Sequence, residues 1–397
     1  MSSSELFENL RAEVINTSND CKFYHDICVK EEYDFDQTVK DSNLEEIPYI
    51  NWSYFKASNG RFTELLRYPF KDLAYWTISS STSGDPSLVG RGPEDIEIFK
   101  NNFKRVFEEY SNMSQIKRLI LFAPHIRFMN RMPGEWKGKR GFLFYRDITE
   151  IWEDYKIEYL LKFKFWKTIG YTITHFKPKV FIEIDGSLLK RSLKQVEKEY
   201  IPALIANSAP LMYKNFMDYR KKYKSGFDMA ETFRVQTGGG GWSGKKGRVK
   251  LDYEINKADF IETLSDFFNI PFENFADLYG ATETPIACGG HWSKKYEDFI
   301  LHLDKSNARF VIRSIEDLER IKSTREPGIL EILTPYGVKS YAGVAILMDD
   351  IIEILDFNKC NECGREGIIF RVIGKLTPDI GKGCISFTNL FPFEKEI

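Results

Sequence analysis

The stretch FADLYGATET, Phe275 to Thr284, joins a strand pattern to a turn that carries hydroxyl and carboxylate side chains. Its first six residues are mostly apolar or aromatic and end at Gly280, which predicts a buried strand. The next four include Thr282 and Glu283, so this polar pair would stand directly after the strand. By itself the stretch also fits an ordinary turn at the end of a strand, and the rest of the chain has to distinguish the two interpretations.

Strand and helix patterns alternate on both sides of this stretch, which predicts an α/β fold. The other predicted strands are Arg118 to Pro124, Lys179 to Asp185 and Ala308 to Ile315. The predicted helices are Glu94 to Tyr110, Glu150 to Thr168, Ser187 to Tyr200 and Lys257 to Phe268, the last capped by Asn256. After about Arg325 the pattern changes to short strands separated by Gly and Pro turns, which predicts a late β-rich part.

The composition is that of a globular protein, with 397 residues of which 43% are hydrophobic and 29% charged. The formal net charge of -2 argues against nucleic acid as a partner, because binding to phosphates along a strand normally requires a basic excess. The N-terminus does not resemble a signal peptide, and no stretch is long and apolar enough for a membrane span. Six cysteines in such a chain do not indicate a disulfide framework. We therefore expect a cytoplasmic protein.

The segment WTISSSTSGDP, Trp76 to Pro86, concentrates short hydroxyl side chains before a Gly and Pro turn. Backbone N–H groups and hydroxyls that converge in such a loop can hold the oxygens of a phosphate chain. The candidate phosphate-binding residues are Ser79, Ser80, Ser81, Thr82, Ser83 and Gly84. An ordinary polar surface loop has the same composition, so that alternative stays open.

Together the two segments resemble the adenylate-forming enzymes, whose phosphate loop is close to Ser-Ser-Gly-Thr-Thr-Gly-x-Pro and whose later motif is Tyr-Gly-x-Thr-Glu. Ser81 and Ser83 replace a glycine and a threonine of that loop, and Ser87 stands where many members carry lysine. The resemblance implies a large α/β N-terminal domain of mixed sheets flanked by helices, with a very short or vestigial C-terminal domain. It also implies ATP binding, with Thr282 at the α-phosphate and Glu283 on Mg²⁺, because a hard cation prefers carboxylate oxygen.

Three further segments resemble motifs of the same superfamily in the same order. TGGGGWSG, Thr237 to Gly244, resembles the glycine-rich turn against adenine, where the missing Cβ lets the backbone approach a flat ring; a flexible hairpin is the alternative. The residues that would flank adenine are Gly239, Gly240, Gly241 and Tyr279, and Gly280 is a further candidate for nucleotide binding. LMDDIIEIL offers Asp350, with Asp349 as the alternative, for the ribose hydroxyls. RVIGKLTPDIGKGC resembles the segment in which a Gly-Arg pair and an acidic hinge lead into the C-terminal domain. Lys375, a candidate catalytic residue, stands in place of that arginine and lacks the planar fork that bonds ribose at two points.

Two branches of the superfamily fit this pattern: the LuxE-type acyl-protein synthetases, which activate fatty acids in bacterial luminescence, and the phenylacetate-CoA ligases. Only a short tail follows Lys375, which favours the first branch and predicts an adenylating domain over 1–375 and a short segment over 376–397. The resemblance then implies Cys384 as the acyl acceptor. The neighbouring cation Lys382, two residues away, is expected to lower the pKa of the Cys384 thiol. A thiolate can attack an acyl-adenylate because AMP is a good leaving group. Coenzyme A and a carrier protein are alternative acceptors. If either is the acceptor, Cys384 is expected to be a small buried residue without a catalytic role.

The remaining cysteines suggest a metal site. CGGH places Cys288 and His291 three residues apart, and CNEC places Cys360 and Cys363 at the same spacing. Two short-spaced pairs are a common way to build a tetrahedral zinc site with three cysteines and one histidine. Four unlinked residues, with Cys288 in the core, are the alternative. A closed site of this kind would be structural and would join the loop after Glu283 to the late β-rich part.

The sequence therefore predicts an enzyme that activates a carboxylic acid, such as a fatty acid, with ATP and Mg²⁺ and passes the acyl group to a thiol. A hetero-oligomer with an acyl-handling enzyme is a further expectation. An aryl-CoA or aryl-carrier-protein ligase is the alternative within the same chemistry. The alternative outside this chemistry is a binding protein that descends from a ligase, has lost catalysis and is stabilised by zinc.

Overall fold

The computed structural model of the chain describes residues 3–79, 85–125, 141–143, 155–175, 182–223, 226–229, 231–238, 240–246 and 249–376. The chain forms two compact units. The terminal unit comprises Met1–Asp72 and His302–Ile397, and the central unit comprises Leu73–Leu301. Among the described residues, no helix combines the length and the apolarity that crossing a membrane requires.

Helices and strands alternate along the chain. The helices are α1 (Ser3–Asp20), α2 (Lys22–Lys30), α3 (Pro93–Ser111), α4 (Phe165–His175), α5 (Gly186–Glu199), α6 (Ala209–Tyr223) and α7 (Lys257–Phe268). The strands are β1 (Ile50–Asn51), β2 (Tyr75–Ile78), β3 (Leu88–Arg91), β4 (Arg118–Pro124), β5 (Gly141–Leu143), β6 (Lys156–Phe163), β7 (Ile182–Ile184), β8 (Ala203–Asn207), β9 (Phe233–Gly238), β10 (Lys245–Lys246), β11 (Val249–Lys250), β12 (Phe275–Gly280), β13 (Ala287–Ser293), β14 (Asp298–Leu303), β15 (Arg309–Arg313), β16 (Arg320–Ile321), β17 (Pro327–Leu333), β18 (Ala345–Asp356) and β19 (Ile368–Lys375).

The central unit is built on five adjacent parallel strands in the order β6-β4-β8-β9-β12. β7 pairs antiparallel with β6, and β13 pairs antiparallel with β12. Side chains alternate between the two faces of a strand, and along β4 Ile120 and Phe122 join one apolar cluster while Leu119 and Leu121 join another. Helices α5, α6 and α7 cover the first face and α3 covers the second. This layering confirms the predicted α/β class.

Parallel strands bring their carboxyl ends to one edge, which is where ligands bind in open α/β sheets. β9 ends at Gly238, the start of the glycine-rich segment, and β12 ends at Gly280, just before the Thr282–Glu283 pair. β9 and β12 are direct neighbours in the sheet. The sheet therefore places two of the predicted motifs at the same edge.

The terminal unit is an antiparallel sheet in the order β16-β15-β17-β18-β19, with β1 added parallel to β18. The fully buried Glu331 of β17 forms an ion pair with Arg313 of β15. The same guanidinium donates to the backbone oxygen of Glu45 at 2.9 Å and lies 4.7 Å from the ring centre of Tyr49. This pair therefore anchors the N-terminal segment on the sheet.

Most of the predicted elements are found, and one is wrong. α7 begins and ends at the predicted residues, and the Asn256 side chain accepts a hydrogen bond from the Asp259 backbone at 3.0 Å, which is the predicted cap. The helix predicted over 150–168 is wrong, because Lys156–Phe163 forms β6 and pairs with β4. Pairing with a neighbouring strand decides this segment, whose apolar residues fit either a helix or a buried strand. Residues 150–154 lie outside the described ranges.

Candidate active site

The base of the hydroxyl-rich loop is closed by a reciprocal pair of residues. The Ser79 backbone N–H donates to the Ser87 oxygen at 3.0 Å, and the Ser87 N–H donates to the Ser79 side chain at 2.7 Å. The flanking strands β2 and β3 continue this pairing from Ile78–Leu88 to Tyr75–Arg91. Ser80 to Gly84, the predicted centre of the phosphate loop, lie outside the described residues, so their contact with phosphate stays a prediction.

The polar pair after β12 is buried. Thr282 is 4% exposed and Glu283 is 7% exposed. Tyr279 and Gly280 remain in the ladder between β12 and β13, so the strand holds its register up to two residues before the pair. Carboxylate and hydroxyl oxygens are the donors that fit Mg²⁺. The residues present here are therefore compatible with the predicted magnesium and phosphate contacts.

Two side chains that sequence reasoning missed hold the turn around Glu283. Arg91, fully buried at the end of β3, donates from Nη2 to the backbone oxygen of Thr282 at 2.8 Å. Asn102 of α3 donates to the backbone oxygen of Pro285 at 3.1 Å. A cation at the end of an apolar strand was the available signal for Arg91, but its partner is 191 residues away in the sequence. The turn is thus held from both sides by the segment that follows the hydroxyl-rich loop.

The glycine-rich segment needs glycine for its backbone shape. Gly240 has φ of 68° and Gly241 has φ of 101°, conformations that residues with a Cβ rarely adopt. A Cβ on Gly240 would meet nothing within 4 Å, so the backbone there is open to an approaching group. Trp242, which follows Gly241, packs on Phe260 with ring centres 5.2 Å apart, and this contact holds the end of the glycine-rich turn on α7. Gly239 lies outside the described residues, and contact of this segment with adenine stays a prediction.

In the terminal unit, one lysine contacts both candidate ribose ligands. Lys375 lies opposite Asp350 in the β18–β19 ladder, and its Nζ is 3.0 Å from Asp350 Oδ1 and also pairs with Asp349. Burial lowers the pKa of Lys375, but the carboxylates of Asp350 and Asp349 outweigh it and raise the pKa above its ordinary value. Lys375 is therefore held as an ammonium beside both aspartates. The choice between Asp349 and Asp350 stays open.

The terminal unit also contains a group of metal-ligand type. The ligand atoms of His302, Cys360 and Cys363 all lie within 4.8 Å of one another. Cys363 Sγ is 3.5 Å from His302 Nε2, and a turn closed by the Gly364 N–H on the Cys360 oxygen at 2.9 Å brings the two cysteines together. Imidazole and thiolate in this arrangement suit zinc. Two predicted ligands are thus found together, and His302 is a candidate ligand that sequence reasoning missed.

The predicted knuckle of Cys288 and His291 is wrong. Both residues lie on β13, which pairs with β12 in unbroken register through Cys288 opposite Tyr279 and His291 opposite Ala276. Residues three apart on a strand point to opposite faces, so one ion cannot take both as ligands. Cys288 is fully buried in the central unit, which matches the alternative of a core residue. His291 stays a predicted ligand.

The predicted acyl acceptor is not placed. Cys384 and the rest of 377–397 lie outside the described residues, as does most of the short C-terminal segment predicted from 376. The boundary between an adenylating domain and this segment therefore stays a prediction.

Comparison with known proteins identifies the family. The profile of the family described as "Acyl-protein synthetase, LuxE" matches residues 2–390. No curated protein matches the chain. Among solved structures, an open conformation of 2-hydroxyisobutyryl-CoA ligase with 2-HIB-AMP and CoA is similar, with a TM-score of 0.60, 10% identity and coverage of 93% of this chain and 68% of that one.

The same ligase in its thioesterification state gives a TM-score of 0.59 at 10% identity, with coverage of 93% and 67%. At this identity the likeness shows the fold, which is that of the large domain of the adenylate-forming ligases. The family match supplies the class of chemistry, and the chain belongs to the LuxE acyl-protein synthetase family of acid–thiol ligases that act through an acyl-adenylate.

Proposed function

We propose that this protein activates a fatty acid or a similar carboxylic acid with ATP and passes the acyl group to a thiol. The observation that supports the proposal is the buried Thr282–Glu283 pair at the carboxyl edge of the parallel sheet, held by Arg91 from the strand that follows the hydroxyl-rich loop. This arrangement links the two segments that a triphosphate and its metal ion would need.

In the first step, a carboxylate oxygen of the acid forms a bond to the α-phosphorus of ATP. The bond from that phosphorus to the bridging oxygen breaks, and pyrophosphate leaves. Glu283 would hold Mg²⁺, which offsets charge on the phosphates. The Thr282 hydroxyl would donate to an α-phosphate oxygen, where charge builds up in the transition state. In this proposal the segments Ser79 to Gly84 and Gly239 to Gly241 bind phosphate and adenine, and Asp350 binds ribose.

In the second step, a thiolate attacks the acyl carbon, the bond from that carbon to the AMP oxygen breaks, and AMP leaves. Cys384 is the proposed acceptor. Of the six cysteines, the four at positions 21, 28, 288 and 360 are buried, and burial raises the pKa of Cys28 to about 12. A protonated buried thiol is a poor nucleophile, which argues against Cys28 as the acceptor. Cys384 is proposed because the resemblance to the acyl-protein synthetases implies a cysteine near this position. The acyl group would then pass to an acyl-handling partner enzyme.

Carboxylate-dependent exchange of labelled pyrophosphate into ATP, screened over fatty, aryl and amino acids, tests the first step. We expect exchange with fatty acids. Exchange with aryl acids alone would favour an aryl-CoA or aryl-carrier ligase. Absence of exchange over the whole panel would favour a binding protein.

Incubation with ATP and labelled tetradecanoate tests the second step. We expect the wild type to retain label and Cys384→Ala to lose it while keeping pyrophosphate exchange, because adenylation precedes the thiol step. Label that remains on Cys384→Ala would move the acceptor to another residue. Exchange without retained label in the wild type would favour coenzyme A or a carrier protein.

We also propose that His302, Cys360 and Cys363 bind a structural zinc ion, with His291 as the predicted fourth ligand. The support is the clustering of three ligand atoms of the right type. Metal analysis of the purified protein is expected to find about one zinc per chain, since a closed site binds one ion. Cys363→Ser should lose the zinc, whereas Cys288→Ser, the matched control, should keep it. Retention of zinc by Cys363→Ser would contradict the proposal.

A further inference from the structure

The hydroxyl-rich loop has no cation of its own. From Ser79 to Gly90 the sequence contains neither lysine nor arginine, and Ser87 occupies a position where lysine is common. Arg91 is the first cation after the loop, and it is fully buried at the end of β3. Burying a guanidinium costs free energy unless its donors are satisfied, so this position indicates a specific role for the side chain.

Arg91 acts on the peptide bond that joins Thr282 to Glu283. Its Nη2 donates to the Thr282 carbonyl oxygen at 2.8 Å, and its guanidinium carbon is 5.1 Å from the ring centre of Phe99 on α3. The contact with the ring is a second point at which the guanidinium is held. The hydrogen bond then fixes the orientation of the peptide that bears the Glu283 N–H.

The other side of the turn is held from the same segment. Asn102 of α3 donates to the Pro285 carbonyl oxygen at 3.1 Å. α3 itself lies tightly against β13, because a Cβ on Gly289 would stand only 2.2 Å from Cδ2 of Tyr110. The carbonyl groups on the two sides of Glu283, those of Thr282 and Pro285, thus accept hydrogen bonds from Arg91 and Asn102. These two donors are eleven positions apart in one continuous stretch that begins at the end of β3.

We propose that Arg91 is a positioning residue that sets the orientation of the Thr282–Glu283 pair relative to the β2–β3 hairpin. Because it is fully buried, it acts through the Thr282 carbonyl. This inference rests on the proposed function, since it assigns the residue to the binding of Mg²⁺ and ATP by the same site.

The test compares Arg91→Met, Arg91→Lys and Arg118→Met. Arg118 is the matched control, a buried arginine of the same unit at the start of β4 that bonds Gln195 at 2.9 Å. In the pyrophosphate exchange assay, Arg91→Met is expected to lose on the order of 10²-fold in kcat, because a small displacement of reacting groups has that effect. The Mg²⁺ concentration for half-maximal rate should also rise. Arg91→Lys should recover part of both losses because it keeps the charge.

Thermal unfolding of each variant separates positioning from stability. Arg118→Met is expected to lose melting temperature while its kcat and Mg²⁺ dependence stay close to the wild type. If Arg91→Met behaves like Arg118→Met in both assays, Arg91 is only structural and the proposal is overturned. Asn102→Ala should produce a smaller shift of the Mg²⁺ dependence in the same direction as Arg91→Met.

A binding measurement distinguishes failure of this inference from failure of the proposed function. If the wild type shows no exchange with any acid, calorimetric titration with the α,β-methylene analogue of ATP and Mg²⁺ replaces the rate assay. Weaker binding by Arg91→Met than by Arg118→Met supports the inference even then. Equal binding by the two variants, or no binding by the wild type, refutes it.

Discussion

Replacing the buried Glu331 with glutamine should change how the stability of the protein depends on pH. Burial raises the pKa of Glu331 from its ordinary value of 4.5 to about 7, although Arg313 acts in the opposite direction. Between these two values the folded protein holds a proton that the unfolded chain has released. The free energy of unfolding therefore falls as pH rises through this window.

The size of the effect follows from the two pKa values. A difference of about 2.5 corresponds to about 3 kcal/mol for complete titration, of which about 2 kcal/mol falls between pH 5 and pH 8. Glu331→Gln has no proton to lose in this range. It also keeps an oxygen that can accept from Arg313, so the N-terminal segment should stay attached to the sheet.

Urea unfolding followed by circular dichroism at pH 5, 6, 7 and 8 measures the difference between wild type and Glu331→Gln. We expect the wild type to lose about 2 kcal/mol relative to Glu331→Gln from the lowest to the highest pH. Glu326→Gln, which removes an exposed carboxylate, serves as the control for the change in net charge. A difference that stays constant with pH, or that moves in favour of the wild type, would refute the reasoning.

Three further changes test the site and its support. Glu283→Gln should reduce pyrophosphate exchange by about 10²-fold or more, because a neutral amide cannot replace the negative carboxylate that would bind Mg²⁺. The melting temperature should stay near the wild-type value. Asp350→Asn should raise the KM for ATP more than Asp349→Asn does. Asp350→Asn should also lose less affinity for 3′-deoxy-ATP than for ATP. A larger rise of the KM in Asp349→Asn would assign the ribose contact to Asp349. Gly289→Ala should destabilise the protein by about 1–3 kcal/mol in thermal unfolding, because Tyr110 must move, whereas Gly374→Ala, where a Cβ meets nothing within 4 Å, should be close to neutral.

Much of the site could be predicted because its signals are local. The Thr282–Glu283 pair follows a strand whose bounds were read directly from its apolar run, and the CNEC spacing brings Cys360 and Cys363 together in one turn. Motif order was enough to assign the family, which the match over residues 2–390 confirms. Each motif consists of residues within a few positions of one another, and the order of the motifs can be read along the chain, so the sequence contains the information directly.

The missed features all depend on pairing between distant segments. β6 resembles a helix in its composition and becomes a strand only because β4 offers a partner ladder. His302 becomes a candidate metal ligand because the sheet carries it to a turn that lies about 60 positions further on. The knuckle of Cys288 and His291 fails for the same reason, since β13 is an extended strand and not a turn.

The amino-acid sequence by itself determined the class of fold, the family and the position of Thr282 and Glu283 directly after a strand, because strand periodicity and short motifs are local patterns whose order can be read along the chain. Only the tertiary structure decided that Arg91 holds the peptide before Glu283, across 191 positions of sequence. Such a contact depends on how β3, α3 and β12 pack, and packing is set by the complementary shapes of whole elements.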